Sequence, residues 1–195
     1  MSGIVKFIPT LILMLLFGNF AHAQGFGINI GATLEELEVV SDDGNGLYTV
    51  TVPKPHNEFD FYTVMITPET GVCRVSGYGK THSNDRFGTS SRRAFDNLRL
   101  LLEEIYGTHH FADFLRDGSI WDDQNEWVMS FYQNERVYQA IWDEEEQSNL
   151  KSEIKRIYMD MNALNSGDSW VYLRYEYNNH DRCTELLKNS DSDGL

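Results

Sequence analysis

Among its 195 residues the chain carries only two cysteines, four prolines and 16 basic side chains. So few cysteines exclude a disulfide-rich scaffold, and without a CxxC pair a thiolate zinc site or a dithiol redox motif has no ligands. Scarce Lys and Arg against 30 Asp and Glu give a formal net charge of −14. An acidic surface repels nucleic acid and anionic lipid and attracts cationic groups. Past the first two dozen residues no run approaches the ~20 apolar residues that cross a bilayer as a helix. No GxSxG elbow and no HExxH pair is present. Gly77-Tyr78-Gly79-Lys80-Thr81 ends like a phosphate loop, but Arg74 stands where that motif needs its first glycine. Asn189, Asp191, Asp193 and Gly194 imitate the opening of a calcium loop without its bidentate glutamate. No cofactor motif and no metal-ligand set follows from these residues.

What is present begins with an export signal. Lys6 precedes the apolar run Leu11 to Phe17, and Ala21-His22-Ala23 has the small-x-small form of a cleavage site, so residues 1–23 read as a signal peptide. Its removal takes Lys6 and leaves 15 basic side chains against 30 acidic ones in residues 24–195, enough chain for one globular domain. Cys73 and Cys183 both belong to that exported part, where a lone pair of cysteines is expected to bridge.

The plainest periodicity runs from Ser90 to Tyr106. Ala94, Phe95, Leu98, Leu101, Leu102 and Ile105 recur at helical spacing and define a face to be buried, with Ser90 as the expected cap and Gly107 as the stop. Arg92 with Asp96 and Arg99 with Glu103 stand four apart on the other side. Earlier, Thr33 and Glu36 fit a capping box for a short helix burying Leu34, Leu37 and Val40, followed by a polar turn from Ser41 to Gly46. Tyr48, Val50 and Val52 alternate with threonines as in a strand, and Phe59 to Thr67 with Val72 to Gly79 reads as a hairpin turning at Pro68 to Gly71.

After Gly107 a connector with Phe111, Phe114 and Leu115 leads to Asp123 and Glu126, a second capping box for a helix carrying Trp127, Val128 and Phe131. Arg136 to Trp142 reads as a strand, although Trp127 to Trp142 also fits one continuous helix. Arg156 to Leu164 and Trp170 to Tyr177 form a second hairpin around Asn165 to Asp168, and Asp181 opens a last helix that buries Cys183, Leu186 and Leu187. The expected fold is α+β: an antiparallel sheet with helices on one face, patterned as two αβββα halves over about 24–107 and 120–188.

Candidate chemistry is sparse. His109 and His110, with Asp113 nearby, are the first residues to consider for catalysis or metal, but adjacent side chains diverge and an exposed turn explains them more simply. Aromatic residues are plentiful, with four Trp, ten Tyr and eleven Phe, and Tyr172, Tyr175 and Tyr177 form a row that could stack on sugars, anchor an interface or fill the core. Trp142 beside Asp143, Glu144, Glu145 and Glu146 is the best contact surface for a cationic partner.

Gly118-Ser119-Ile120-Trp121-Asp122, Glu135-Arg136, Ala140-Ile141-Trp142 and Tyr175-Glu176-Tyr177-Asn178-Asn179 leading to Cys183 resemble a family of small exported bacterial proteins with no assigned activity. The resemblance implies a periplasmic or secreted location and brings no catalytic residues with it. The expected function is therefore an acidic binding module acting by protein contact, of the inhibitor or immunity type, on a cationic envelope or secreted protein. Nucleic acid and, after signal removal, membrane insertion are not expected. The alternative is a cell-envelope hydrolase whose carboxylates or histidines are assembled by the fold.

Overall fold

The computed structural model of this chain describes residues 24–192; the expected signal peptide, and Asp193 and Gly194 of the calcium-like stretch, lie outside them. In chain order the strands are β1 (Gln24–Gly25), β2 (Ile28–Asn29), β3 (Glu38–Gly44), β4 (Leu47–Thr51), β5 (Phe59–Thr67), β6 (Gly71–Gly79), β7 (His110–Leu115), β8 (Arg136–Trp142), β9 (Ile154–Ala163) and β10 (Ser169–Tyr177). The helices are α1 (Thr89–Tyr106), α2 (Trp127–Tyr132) and α3 (His180–Ser192). β1 and β2 make a small hairpin, and the other eight strands form one antiparallel sheet in the order β3-β4-β5-β6-β10-β9-β8-β7. The fold is thus α+β on a single antiparallel sheet. Two four-stranded meanders meet where β6 pairs with β10, Val75 opposite Tyr175 and Gly77 opposite Leu173.

Alternation along the strands sorts the side chains onto two faces. Val64, Val75, Tyr175, Ile157 and Trp142 stand in register on one, and all are buried. α1 and α2 close that face: Phe95 meets Tyr138 at 4.7 Å, Tyr106 meets Tyr175 at 6.4 Å, and Trp127 meets Tyr138 at 5.7 Å between ring centroids. Burying Phe95, Leu98 and Leu102 contributes about 1.5–3 kcal/mol for each side chain. The β1–β2 hairpin is pinned to the same core by the Tyr177 hydroxyl, which donates to the Ile28 carbonyl at 2.6 Å and accepts from the Gly25 N–H at 2.9 Å. α3 lies against β5 and β6, and Cys183 in its first turns is disulfide-bonded to Cys73 of β6 across 110 residues of sequence.

Several local expectations change. The helix expected over Leu34 to Val40 is a single 3-10 turn, Leu34–Glu36, after which the chain extends as β3 beside β4. Three apolar positions over two turns bury too little to hold a helix, whereas Val39 and Val40 suit an edge strand whose Asp42 and Asp43 keep it from pairing further. Likewise the connector holding Phe111 and Phe114 is the opposite edge strand, β7. Trp127 to Trp142 divides into α2 and β8, with Asn134 at φ 57° making the break.

α1 also starts differently. Its first N–H groups, on Thr89, Ser90 and Ser91, donate to the Asp85 carboxylate at 2.8, 2.6 and 3.2 Å, so Asp85 rather than Ser90 satisfies them. Gly88 turns the chain into the helix at φ 64°, and a Cβ there would sit 1.9 Å from the Trp127 ring, so only glycine fits. Gly107 ends the helix as expected, its N–H returning to the Glu103 carbonyl. Of the expected apolar face Leu101 and Ile105 remain exposed, and Tyr106 is buried in their stead. Arg99 pairs with Glu103 as expected, whereas Arg92 turns back to the Phe87 and Gly88 carbonyls.

Candidate functional site

The other face of the sheet carries the residues that alternate with the core. On β9 these are Tyr158, Asp160 and Asn162, and on β10 Trp170, Tyr172 and Arg174, each opposite its partner: Trp170 to Asn162, Tyr172 to Asp160, Arg174 to Tyr158. β6 adds Ser76 and Tyr78 opposite Arg174 and Tyr172; β5 adds Phe61 beside Tyr78, and β8 adds Gln139 opposite Asp160. A polar and aromatic stripe therefore crosses the five central strands at right angles to them.

The rings are arranged as shelves. Phe61, nearly half exposed, lies parallel to Tyr78 with centroids 4.5 Å apart, and Tyr78 meets Tyr172 at 5.0 Å. Buried Ser76 beneath them exchanges a hydrogen bond of 2.8 Å with the Tyr172 hydroxyl, fixing that ring. Arg174 places its guanidinium 4.5 Å above the Tyr158 ring and pairs with the buried Glu176 carboxylate at 3.0 Å. This cation–π and ion-pair clamp holds both side chains flat against the sheet.

Asp160 lies at the centre. Its carboxylate accepts from the Tyr158 hydroxyl at 3.2 Å and from Asn162 Nδ2 at 3.0 Å. Tyr158 also approaches Gln139 Oε1 at 3.2 Å. Enclosure away from water pushes the Asp160 carboxyl up to about 6, against the opposing pull of its hydrogen bonds and of Arg174. Burial, followed by the nearby Asp160 charge, raises the Tyr158 phenol above its ordinary value.

A depression of about 410 Å³ opens over Tyr78, Tyr158, Asp160, Asn162, Trp170 and Tyr172. It continues on one side into a hollow of about 350 Å³ bounded by Phe61, Tyr78, Leu164 and Trp170. On the other side it shares Tyr158, Asp160 and Asn162 with a third hollow, of about 440 Å³, floored where β8 and β9 part beyond the Gln139–Asp160 pair. Asp160 is the sole carboxylate among the described residues lining the central and third hollows. A proton can be held there up to about pH 6, and the other carboxylate along the groove, Asp60, lines the adjoining hollow, whereas glycoside cleavage by a carboxylate pair needs its two acids within about 5–10 Å of each other.

The residues singled out from sequence are dispersed. Trp142 is fully buried, its indole N–H donating to the Gly107 carbonyl, and contributes no outer surface. Asp143 pairs with Arg156 at 3.4 Å, and Glu146 approaches His110 at 3.8 Å; Glu144 and Glu145 are exposed. Lys155 and Arg156 border the same hollow as Asp143, Glu144 and Glu145, offsetting the acidic charge locally.

His109 stacks on Trp142 with centroids 4.7 Å apart, and Arg99 lies 3.2 Å from its Nε2, whereas Asp113 pairs with Arg136. Desolvation lowers the proton affinity of His109. These three side chains thus have separate partners, and among the described residues no three His, Cys, Asp or Glu converge as metal ligands. Of the tyrosine row, Tyr172 belongs to the open face while Tyr175 and Tyr177 are core. The signal for the stripe was present in sequence as Tyr158-x-Asp160-x-Asn162 and Trp170-x-Tyr172-x-Arg174 flanking one turn. No protein-family model, curated protein or solved structure matches the chain.

Proposed function

We propose that this protein is an exported binding module whose contact surface is the open sheet face around Trp170, Tyr172, Tyr158 and Asp160. The observation that carries the reading is the assembly on one face of flat rings, held by Ser76 and Arg174, around hydrogen-bonding groups in an open depression. Rigid aromatic shelves provide contact area at small entropic cost, and the polar groups between them set orientation. With 15 basic against 30 acidic side chains, a net charge of −15, the module favours neutral or cationic partners over polyanions. The disulfide accords with an oxidising, extracytoplasmic location. The two meanders, each followed by a helix, are the form in which the two-half pattern enters this reading.

The test is capture from envelope extract, both its proteins and its glycans, on immobilised residues 24–195 at low and raised salt. Wild type, Trp170→Ala and the pair Glu144→Gln with Glu145→Gln are compared. Loss of a captured species with Trp170→Ala and retention with the glutamate pair is expected. Loss with the glutamate pair alone would move the contact surface to the acidic run after Trp142.

A further inference from the structure

We propose that the open face is a groove for a linear, uncharged glycan laid across the strands, a reading that rests on the binding-module function above. The three hollows share their boundary residues, Tyr78 and Trp170 between the first two and Tyr158, Asp160 and Asn162 between the second and third, so they form one channel. That channel crosses from β5 to β8 over four strand spacings, about 19 Å or the reach of about four pyranose rings.

Its lining matches the two-sided chemistry of a pyranose. Such a ring offers a C–H face, which packs on a flat aromatic, and a rim of hydroxyls, each both donor and acceptor. Tyr78, Trp170 and Tyr172 provide the aromatic surfaces, and Asp160, Asn162 and Gln139 provide acceptors and donors in planar geometry.

Other occupants fit less well. A peptide strand adds to a sheet at its edge through backbone groups, and this channel runs over the face of central strands whose backbone groups are already paired. Polyanions, whether nucleic acid or acidic polysaccharide, meet the Asp160 carboxylate at the middle of the channel and Asp60 at its β5 end; of the arginines that line it, Arg174 is engaged by Glu176 and Arg136 by Asp113, and Arg116 borders the far end. A lone small sugar would fill about one quarter of the length and leave the outer shelves unused.

The experiment is titration calorimetry of folded residues 24–195 with neutral β-1,4-linked gluco-oligosaccharides and N-acetylglucosamine oligosaccharides of two to six units. Affinity should rise with each unit to about four and then level off. Trp170→Ala should weaken the tetrasaccharide about tenfold while Trp170→Tyr keeps most of the affinity, since one lost ring contact is worth about 1.4 kcal/mol at its upper range. Oligogalacturonates, with a carboxylate on every ring, should not bind.

No binding by either neutral series, or equal affinity from two to six units, would overturn the glycan assignment. A protein ligand lost with Trp170→Ala would likewise overturn it while leaving the binding face intact. Glycan binding indifferent to Trp170→Ala would overturn the groove and the binding face together.

Discussion

The Tyr158 hydroxyl donates to Asp160 Oδ2 at 3.2 Å while Asn162 holds the other carboxylate oxygen, yet these two bonds do not offset the cost of enclosing the charge. The folded carboxyl keeps its proton to about pH 6, against an ordinary value of 3.8 in the unfolded chain. Between those values the native state binds more protons than the unfolded state, so this group lowers stability as pH rises through the window. Asp160→Asn should therefore stabilise the protein at pH 7.5, by on the order of 2–3 kcal/mol, and make little difference below pH 4. Thermal unfolding of both proteins between pH 3.5 and 8 checks it; a gain independent of pH would refute the assignment.

The disulfide ties the start of β6 to α3 over 110 residues. Closing so long a loop removes unfolded-state entropy, so Cys73→Ala with Cys183→Ala should lower stability by about 4 kcal/mol in chemical denaturation. A reductant should destabilise the wild type by a similar amount and leave the double variant unchanged.

Asp85 and Ser90 separate two accounts of how α1 begins. Since the Asp85 carboxylate receives three helix N–H groups, Asp85→Ala should cost about 1–2 kcal/mol. Ser90→Ala, on an exposed side chain beyond the cap, should change the denaturation midpoint little.

Trp142 supplies a further contrast. Replacing this fully buried indole by alanine should cost about 3–5 kcal/mol, as expected for a large core side chain. Glu144→Gln and Glu145→Gln, two and three residues along the chain in exposed positions, should stay within about 0.5 kcal/mol in the same urea titration.

The central hairpins were legible because Tyr158, Asp160 and Asn162 alternate strictly with Ile157, Met159 and Met161, and Asn165 to Asp168 has turn chemistry. The α1 periodicity likewise placed Phe95, Leu98 and Leu102 correctly. Edges were not legible: β3 and β7 have one bonded neighbour each and carry acids and exposed rings, so their patterns are those of loops. Leu101 and Ile105 misled because helical spacing fixes a stripe but not its width, and the sheet beneath α1 covers only the Leu98–Leu102 side. The stripe on β9 and β10 was visible as residues, but its extent was not. Tyr78 and Phe61 join it only through the β6–β10 pairing, which links positions about a hundred residues apart and leaves no local mark.

That pairing also sets an order of events during synthesis. The first meander is complete once Gly79 has emerged, but the inner edge of β6 waits through some ninety further residues for β10, the last of the described strands. Until then the row of free backbone groups on Gly71–Gly79, flanked by Val72 and Val75, is a template for any extended chain nearby. Arrival of β10 and then α3 occupies that template, and the Cys73–Cys183 bond locks the closure: the segment from β10 through α3 is the guard of the chain's most adhesive strand.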